Sequence, residues 1–279
     1  MNFKLFEKLG RMDDVEKTTD IIWEEYKNAP DDKPFEMENI TSGDFKIKKI
    51  TINHYNDNER DTHMSFLFRS KIDNGDYYIY MTRNTFYKKL KTELHHELVH
   101  AYEYLKVKAN RYNTPDKSLE PFDRIQTNDE VLEQFLYIMY LIDSHEIKAF
   151  YNESISFIKD NKQKFRKFQD ILKNTELYKN YQYIKEFNID VIGNSTSIEG
   201  FVELYYDIRR NRFLKTENLL TIGFKYYKNY FLSLFKKKKV TKISDNEIGK
   251  FIGKFKKEIE FKKRIYIKYI GRLQTLMEY

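Results

Sequence analysis

The chain has 279 residues, with 50 Lys and Arg against 43 Asp and Glu and a formal net charge of +7. It contains no cysteine, which excludes disulfides, cysteine-ligated zinc and a cysteine nucleophile, so any metal site must be built from His, Asp and Glu. No apolar run approaches the roughly 20 residues that span a bilayer, and the first residues lack the apolar core of a signal peptide. We therefore expect a cytoplasmic protein with no transmembrane segment.

The N-terminal part predicts one helix and the first strand of a sheet. Residues 13–28 form an amphipathic pattern that opens on an Asp cap and ends at Ala29-Pro30, so we expect a short helix there. From Phe45 to His54 apolar residues alternate with a one-residue shift at Lys48-Lys49, which predicts a strand with a β-bulge. Nothing in residues 1–43 distinguishes a docked helix from a regulatory or pro-segment.

Two further strands follow, joined by a hairpin pattern. Apolar residues alternate over residues 64–68 and again over residues 77–81. Between them, Asp73-Asn74-Gly75-Asp76 is typical of a type I′ turn, whose two central residues need positive φ angles. These strands predict a small antiparallel sheet.

The next predicted helix carries the most informative residues of the chain. Asn84 or Thr85 can cap it, and its apolar residues recur at helical spacing and face the core: Leu90, Leu94, Leu98, Ala101 and Leu105. On a different face lie His96 and His100, one turn apart, so both imidazoles can reach a single ion through nitrogens about 2.0 to 2.1 Å from it. Glu97 completes His-Glu-x-x-His, the spacing of zinc hydrolases, in which the glutamate can take a proton from a zinc-bound water.

A catalytic zinc usually has three protein ligands, so the two histidines require a partner from elsewhere in the chain. A third histidine six residues after His100, as metzincins place it, would fall at Lys106, and the expected glycine is Glu103, so that class is excluded. Two glutamates remain as candidates. Glu120 has the spacing of thermolysin-like enzymes but lies in a predicted loop, whereas Glu146 lies in a predicted helix, where it could instead act as a cap.

Strands, a His-Glu-x-x-His helix and a downstream helix with Glu146-x-x-Ala149 together resemble the gluzincin group of zinc metallopeptidases, including the ImmA and IrrE type. The likeness covers residues 45–155. The resemblance implies an α+β, zincin-like fold in which Zn²⁺ is held by His96, His100 and Glu146. It also implies that Glu97 is the general base in the hydrolysis of peptide bonds in a protein or peptide substrate.

The resemblance extends to substrate binding. In zincin folds the strand beside the motif helix is usually the sheet edge that pairs with an extended substrate, and Tyr77 to Thr82 is the candidate here. The residue that stabilises the oxyanion is not evident from the motifs. Tyr205-Tyr206 with Arg209-Arg210 could supply it, although such a polar and aromatic cluster is more often a packed helix with a basic face.

The remaining histidines have weaker claims to a role. His145 could support the metal site or stabilise an oxyanion, but a lone histidine at a helix start is more often on the surface. His95 points away from the ligand face, and we expect no catalytic role for it. His54 and His63 lie in predicted strands, where we interpret them as sheet-face residues.

Beyond residue 160 the pattern is almost wholly helical, and Ser244 to Glu247 is a capping box. From Arg209 onwards there are 20 Lys and Arg against 6 Asp and Glu, a net charge of +14, against −7 for residues 1–208. Cations and aromatic rings mix in this tail, notably at residues 224–231, 236–239 and 262–264, a pattern that suits nucleic acid. A solvated basic face and core packing explain the same residues, and a membrane-surface helix is a weaker reading.

Two functional hypotheses therefore stand. The first is a zinc metallopeptidase divided into an N-terminal helical segment (1–43), a zincin-like catalytic domain (44–160) and a basic helical C-terminal region (161–279). The second is a nucleic-acid-binding or phage virion-associated interaction protein whose zincin fold is incidental or inactive. A composition poor in Ala, Gly and Pro and rich in Lys, Asn and Ile is compatible with a phage or mobile-element source.

Overall fold

The computed structural model describes residues 12–57, 64–67, 70–109, 130–165, 167–193, 195, 198, 200–202, 205–206 and 244–278. Its contacts divide the chain into two compact units. The first comprises Met1–Pro115, Lys148–Leu177 and Leu273–Tyr279, and the second comprises Asp116–Ile147 and Tyr178–Arg272. Within the described ranges, no helix is both long enough and apolar enough to cross a membrane.

The first unit is built on a sheet of five strands within the described residues, with helices packed on it. Its elements up to residue 109 are α1 (Met12–Tyr26), β1 (Phe35–Ser42), β2 (Phe45–Tyr55), β3 (Met64–Phe66), β4 (Lys71–Asp73), β5 (Asp76–Asn84) and α2 (Lys91–Ala109). The strand order is β1-β2-β5-β3, and β4 also pairs with β5. The predicted α+β class is therefore confirmed.

The sequence patterns predicted an antiparallel sheet, and this prediction is wrong, because the observed sheet is mixed. β2 and β5 run parallel, whereas β1 pairs antiparallel with β2, and β3 and β4 pair antiparallel with β5. An alternating apolar pattern determines which side chains face the core, but it carries no information on which strand becomes the neighbour or in which direction that neighbour runs.

Two local predictions for the sheet are confirmed. The register between β2 and β5 shifts between Ile47 and Lys49, so Lys48 is the bulged residue. In the β4–β5 turn, Asn74 has φ 48° and Gly75 has φ 85°, and two successive positive φ angles define a type I′ turn. The bulge and the turn therefore follow directly from the residue types at these positions.

Residues 1–43 were predicted as a helical segment, but residues 35–42 of it form strand β1. Helix α1 and strand β1 share the core of the sheet and α2. Val15, Ile22 and Tyr26 of α1 are fully buried, and β1 pairs with β2 along most of its length. The core cluster also contains Phe45, Ile47, Ile50, Ile52, Ile79, Met81, Leu94, Leu98, Val99, Ala101, Leu105 and Ala149. Residues 12–42 are thus a structural part of the unit that carries the histidine motif.

Helix α2 begins at Lys91, later than the sequence predicted. The side-chain oxygen of Asn84 accepts the backbone N–H of Phe86 at 3.1 Å and so fixes the turn after β5 instead of capping a helix. Leu90, the first residue of the predicted apolar stripe, precedes the helix and is exposed. The other four stripe residues are fully buried as expected: Leu94, Leu98, Ala101 and Leu105.

The remaining described elements are helical, which confirms the predicted helical C-terminal region. They are α3 (Glu130–Leu141), α4 (Ser144–Asn161), a 3₁₀ turn (Lys162–Lys164), α5 (Phe168–Lys173), α6 (Glu176–Glu186), α7 (Asp190–Gly193) and α8 (Asp245–Glu278). An aromatic core lies within the second unit, where Phe135 contacts Phe201 and Phe255. The predicted capping box starts α8, since Ser244 N–H donates to Glu247 at 3.0 Å and Glu247 N–H donates to Ser244 Oγ at 3.3 Å.

Candidate metal centre

Helix α4 presents three side chains on the face that is turned to the motif. Glu146, Phe150 and Glu153 follow one another at helical spacings of four and three residues, so they are stacked along the same side. The ring centroid of Phe150 lies 5.0 Å from that of His96, and Glu153 Oε2 lies 3.0 Å from His96 Nδ1. Since α4 is one continuous helix, Glu146 continues this face by one further turn.

The three predicted ligands come together. One ligand atom each from His96, His100 and Glu146 lies within 4.8 Å of the other two. The two Nε2 atoms of the histidines are 3.0 Å apart, close to the separation of about 3.3 Å that bonds of about 2.0 to 2.1 Å impose on two ligands of a tetrahedral zinc. Two imidazole nitrogens and one carboxylate oxygen are also the donor set of a common class of catalytic zinc sites. The residues therefore fit a zinc ion.

The start of α4 is capped by an aspartate. Asp143 Oδ1 accepts the backbone N–H of His145 at 2.7 Å, which satisfies one of the N–H groups at the helix start. The backbone N–H of Asp143, to which a capping Glu146 would have to reach back, donates to Tyr140 O at 3.0 Å. The capping of α4 is therefore carried by Asp143, and residue Glu146 is 7 % exposed.

Glu97, the predicted general base, contacts the outer strand of the sheet. Its Oε2 accepts the backbone N–H of Phe66 in β3 at 2.6 Å, and the side chain is half-buried. Leu67 N–H donates in the opposite direction, to Tyr80 O of β5 at 2.8 Å. Because successive backbone groups alternate in direction along a strand, the Phe66 N–H points away from β5 and towards α2. This hydrogen bond fixes the orientation of the Glu97 carboxylate.

The prediction that Tyr77 to Thr82 form the sheet edge is wrong. These residues belong to β5, which pairs with β2 on one side and with β3 and β4 on the other. Among the described strands, the short strand β3 is the outer one at this side of the sheet. The sequence patterns of β3 and β5 are alike, and only the pairing distinguishes an edge strand from an interior one.

His95 points away from the ligand face, as expected, and into the core, which was not predicted. It is 3 % exposed, and its Nδ1 lies 3.0 Å from Thr19 Oγ1 in α1. The Thr19 hydroxyl donates to Val15 O at 2.8 Å, so its oxygen accepts the hydrogen bond and His95 carries its proton on Nδ1. Burial, and secondarily the neighbouring His96, lowers the pKa of His95 to about 4. His95 therefore stays neutral and joins α2 to α1.

The other histidines are distributed as expected where the structure describes them. His145 is exposed at the start of α4. His54 is half-buried on β2 with its ring centroid 6.2 Å from that of Tyr26, and burial lowers its pKa. His63 and the alternative ligand Glu120 lie outside the described residues.

The cluster considered for oxyanion stabilisation is a packed helix in its described part. Tyr205 is fully buried against Phe251 and Phe255, and its hydroxyl donates to Glu258 Oε2 at 2.9 Å. Tyr206 is half-buried next to it, and residues 209–210 lie outside the described residues. The contacts of Tyr205 therefore favour its interpretation as part of a packed helix.

Two further acidic residues beside the motif were missed by sequence reasoning. Glu153 contacts His96 directly, and Glu93 lies one turn before Glu97 on α2. Burial, together with the negative charges of Glu153 and Glu97, raises the pKa of Glu93 to about 8. The spacing of seven residues from Glu146 to Glu153 could have indicated the first, because it places both carboxylates on one helix face.

Comparisons of the chain with protein families, with curated proteins and with solved structures find no match.

Proposed function

We propose that the chain is a zinc-dependent metallopeptidase of the gluzincin type, which hydrolyses peptide bonds in a protein or peptide substrate. The observation that supports this proposal is the convergence of donor atoms from His96, His100 and Glu146 within 4.8 Å. Glu97 directly follows the first histidine on α2. The candidate ligands and the candidate base thus have the spacing that this chemistry requires.

The chemistry divides between the metal and the protein. A zinc ion held by this donor set would lower the pKa of a bound water from about 15.7 towards about 7 and polarise the scissile carbonyl. Glu97 would accept a proton from the attacking water and pass it to the amine nitrogen as the C–N bond breaks. The Phe66 N–H keeps the Glu97 carboxylate oriented for both transfers, because it binds Oε2 at 2.6 Å.

The outer strand of the sheet supplies a place for the substrate. The backbone groups of β3 that point away from β5 belong to Met64 and Phe66, since Ser65 pairs with Thr82 and Leu67 bonds to Tyr80. Of these groups, the Phe66 N–H is already bonded to Glu97. An extended peptide added along this side would lie next to Glu97. We therefore place substrate pairing on β3 rather than on β5.

A single substitution tests the reaction. Glu97→Gln keeps the size of the side chain but removes its ability to accept a proton, so we expect cleavage of a labelled unfolded protein such as casein to fall about 10²- to 10⁴-fold. The zinc content, measured by elemental analysis, should stay at one ion per chain, because Glu97 is not a ligand. Cleavage by Glu97→Gln at the wild-type rate, or a wild type without zinc, would refute the proposal.

A second candidate function is binding of nucleic acid by the basic C-terminal region. The observation that favours it is a row of exposed cations on α8, at Lys254, Lys256, Lys257, Arg264 and Lys268. Lys262 does not belong to this row, because it is buried and donates to Ser144 Oγ. If these cations contact phosphates, affinity for duplex or single-stranded DNA should fall steeply with salt, and a flat response would exclude this function.

A further inference from the structure

Glu153 is bonded to one of the proposed ligands on the side away from the metal position. Its Oε2 lies 3.0 Å from His96 Nδ1, and both side chains are about nine-tenths buried, with 11 % and 10 % of their surfaces exposed. An ionised carboxylate can only accept a hydrogen bond, so beside ionised Glu153 the proton between the two atoms belongs to the imidazole. With Glu153 ionised, His96 is therefore protonated on Nδ1.

This protonation determines which ring atom can bind a metal. An imidazole that carries its proton on Nδ1 has its lone pair on Nε2, and His96 Nε2 is the atom that faces His100 Nε2 at 3.0 Å. We propose that Glu153 is a positioning residue, which holds the His96 ring in the tautomer and orientation that zinc binding requires. This inference rests on the proposed function, since it concerns the same metal site.

The surroundings of the ring support a positioning role. Phe150, one turn before Glu153 on α4, packs against the His96 ring with an interplanar angle of 52°. The ring is thus held by a hydrogen bond at one edge and by a hydrophobic wall at its side. Helix α4 supplies one ligand, Glu146, and both of the groups that orient another ligand.

The buried charges of the site also favour a bound metal ion. Glu146 and Glu153 are both buried, and their ionised forms bring two negative charges into a region of low polarity. Buried charges persist when they are paired or when they coordinate a metal. A divalent cation bound to the histidines would balance both carboxylates, and the charge of Glu153 would strengthen His96 as a donor.

Two substitutions of Glu153 separate the hydrogen bond from the charge. Glu153→Ala removes both, so the affinity for zinc should fall about 10- to 100-fold, the usual effect of losing such a partner of a ligating histidine. Glu153→Gln leaves an amide oxygen that can still accept the Nδ1 proton, so its zinc affinity should lie between those of Glu153→Ala and the wild type.

The chain offers a matched control. Glu103 of α2 forms an ion pair with Lys148 of α4, so it joins the same two helices. Glu103 is paired with a lysine and not with a proposed ligand, and Glu103 lies one turn beyond His100. Glu103→Gln should therefore leave zinc affinity unchanged even if it loosens the contact between α2 and α4.

The measurement is competition for zinc between the purified full-length protein and a chromophoric chelator. The visible spectrum of the Co²⁺-substituted protein provides a second measurement, which should change in Glu153→Ala and remain as in the wild type in Glu103→Gln. Thermal unfolding of the metal-free proteins shows whether each variant is folded. If Glu153→Ala does not fold, Glu153→Gln still measures the effect of the carboxylate charge.

Three results would overturn the inference. Folded Glu153 variants with wild-type zinc affinity would show that His96 needs no such partner. An equal loss in Glu103→Gln would show that helix packing, rather than the orientation of His96, controls the affinity. A wild type that binds no zinc would remove the inference together with the proposed function, whereas zinc binding and Glu97-dependent cleavage with unaffected Glu153 variants would remove the inference alone.

Discussion

The buried histidine that precedes the motif tests how α2 is rotated in the core. His95 and His96 are adjacent, and only one of them can face the metal position. His95 is 3 % exposed and bonds Thr19 of α1 through Nδ1 at 3.0 Å. Burial lowers its pKa to about 4 from an ordinary value of 6.5. The folded protein therefore resists protonation of His95, whereas the unfolded chain does not.

The sign and size of the effect follow from these two pKa values. Between pH 6.5 and 4 the unfolded chain binds more protons at this residue than the folded protein, so stability is lost as the pH falls through this range. For folded and unfolded pKa values of about 4 and 6.5, the contribution of His95 to the free energy of unfolding should fall by about 2 kcal/mol from pH 7 to pH 5 and by about 3 kcal/mol at pH 4.

The assay compares urea unfolding at pH 7 and pH 5 in the presence of a chelator, so that metal binding does not contribute. His95→Asn keeps an N–H donor near Thr19 but cannot be protonated, and the wild type should lose about 2 kcal/mol more than this variant on acidification. His145→Asn is the control, because His145 is exposed on the surface of α4. Equal losses in the wild type and His95→Asn would refute the orientation of α2.

Three smaller predictions use the same unfolding assay on the metal-free protein. Burial and the neighbouring glutamates raise the pKa of Glu93 to about 8, so the free energy of unfolding should fall as the pH rises from about 5 to 8. Glu93→Gln should remove up to about 1.4 kcal/mol per pH unit of that fall, and the same pH dependence of unfolding in the wild type and the variant would contradict this. Tyr266→Phe removes a buried hydroxyl that donates to Leu141 O at 2.8 Å, so it should cost about 1–3 kcal/mol, and no loss would contradict the buried bond. Gly75→Ala should cost about 1–2 kcal/mol, and Gly75→Asn less, because φ is 85° at this position. An added Cβ meets nothing within 4 Å, so the cost is one of backbone conformation, and an Ala variant of unchanged stability would contradict the type I′ turn.

Local features of the fold could be predicted because a few neighbouring residues determine them. The bulge at Lys48, the type I′ turn at Asn74-Gly75 and the capping box at Ser244 depend on short-range sterics and hydrogen bonds. Pairing between distant strands does not. The parallel neighbours β2 and β5 are separated along the chain by β3 and β4, and the alternating pattern of an edge strand is the same as that of an interior one.

The candidate site follows the same division. His96, Glu97 and His100 could be recognised because their spacing on one helix is itself the chemical requirement. Glu146 could be proposed only with the resemblance to a known group, since Glu120 satisfied a different spacing rule. Glu153 was missed because its partner lies 57 residues away along the chain, and its seven-residue spacing from Glu146 is informative only once Glu146 is taken as a ligand.

The identity of the third ligand is the central claim, and zinc retention tests it most directly. The wild type, Glu146→Ala and Glu120→Ala are loaded with zinc, dialysed against a chelator of moderate affinity and analysed for metal content. We expect one zinc per chain in the wild type and in Glu120→Ala, and a large loss in Glu146→Ala, because two histidines alone hold zinc weakly. Full retention of zinc by Glu146→Ala, or loss in Glu120→Ala instead, would contradict the proposed site.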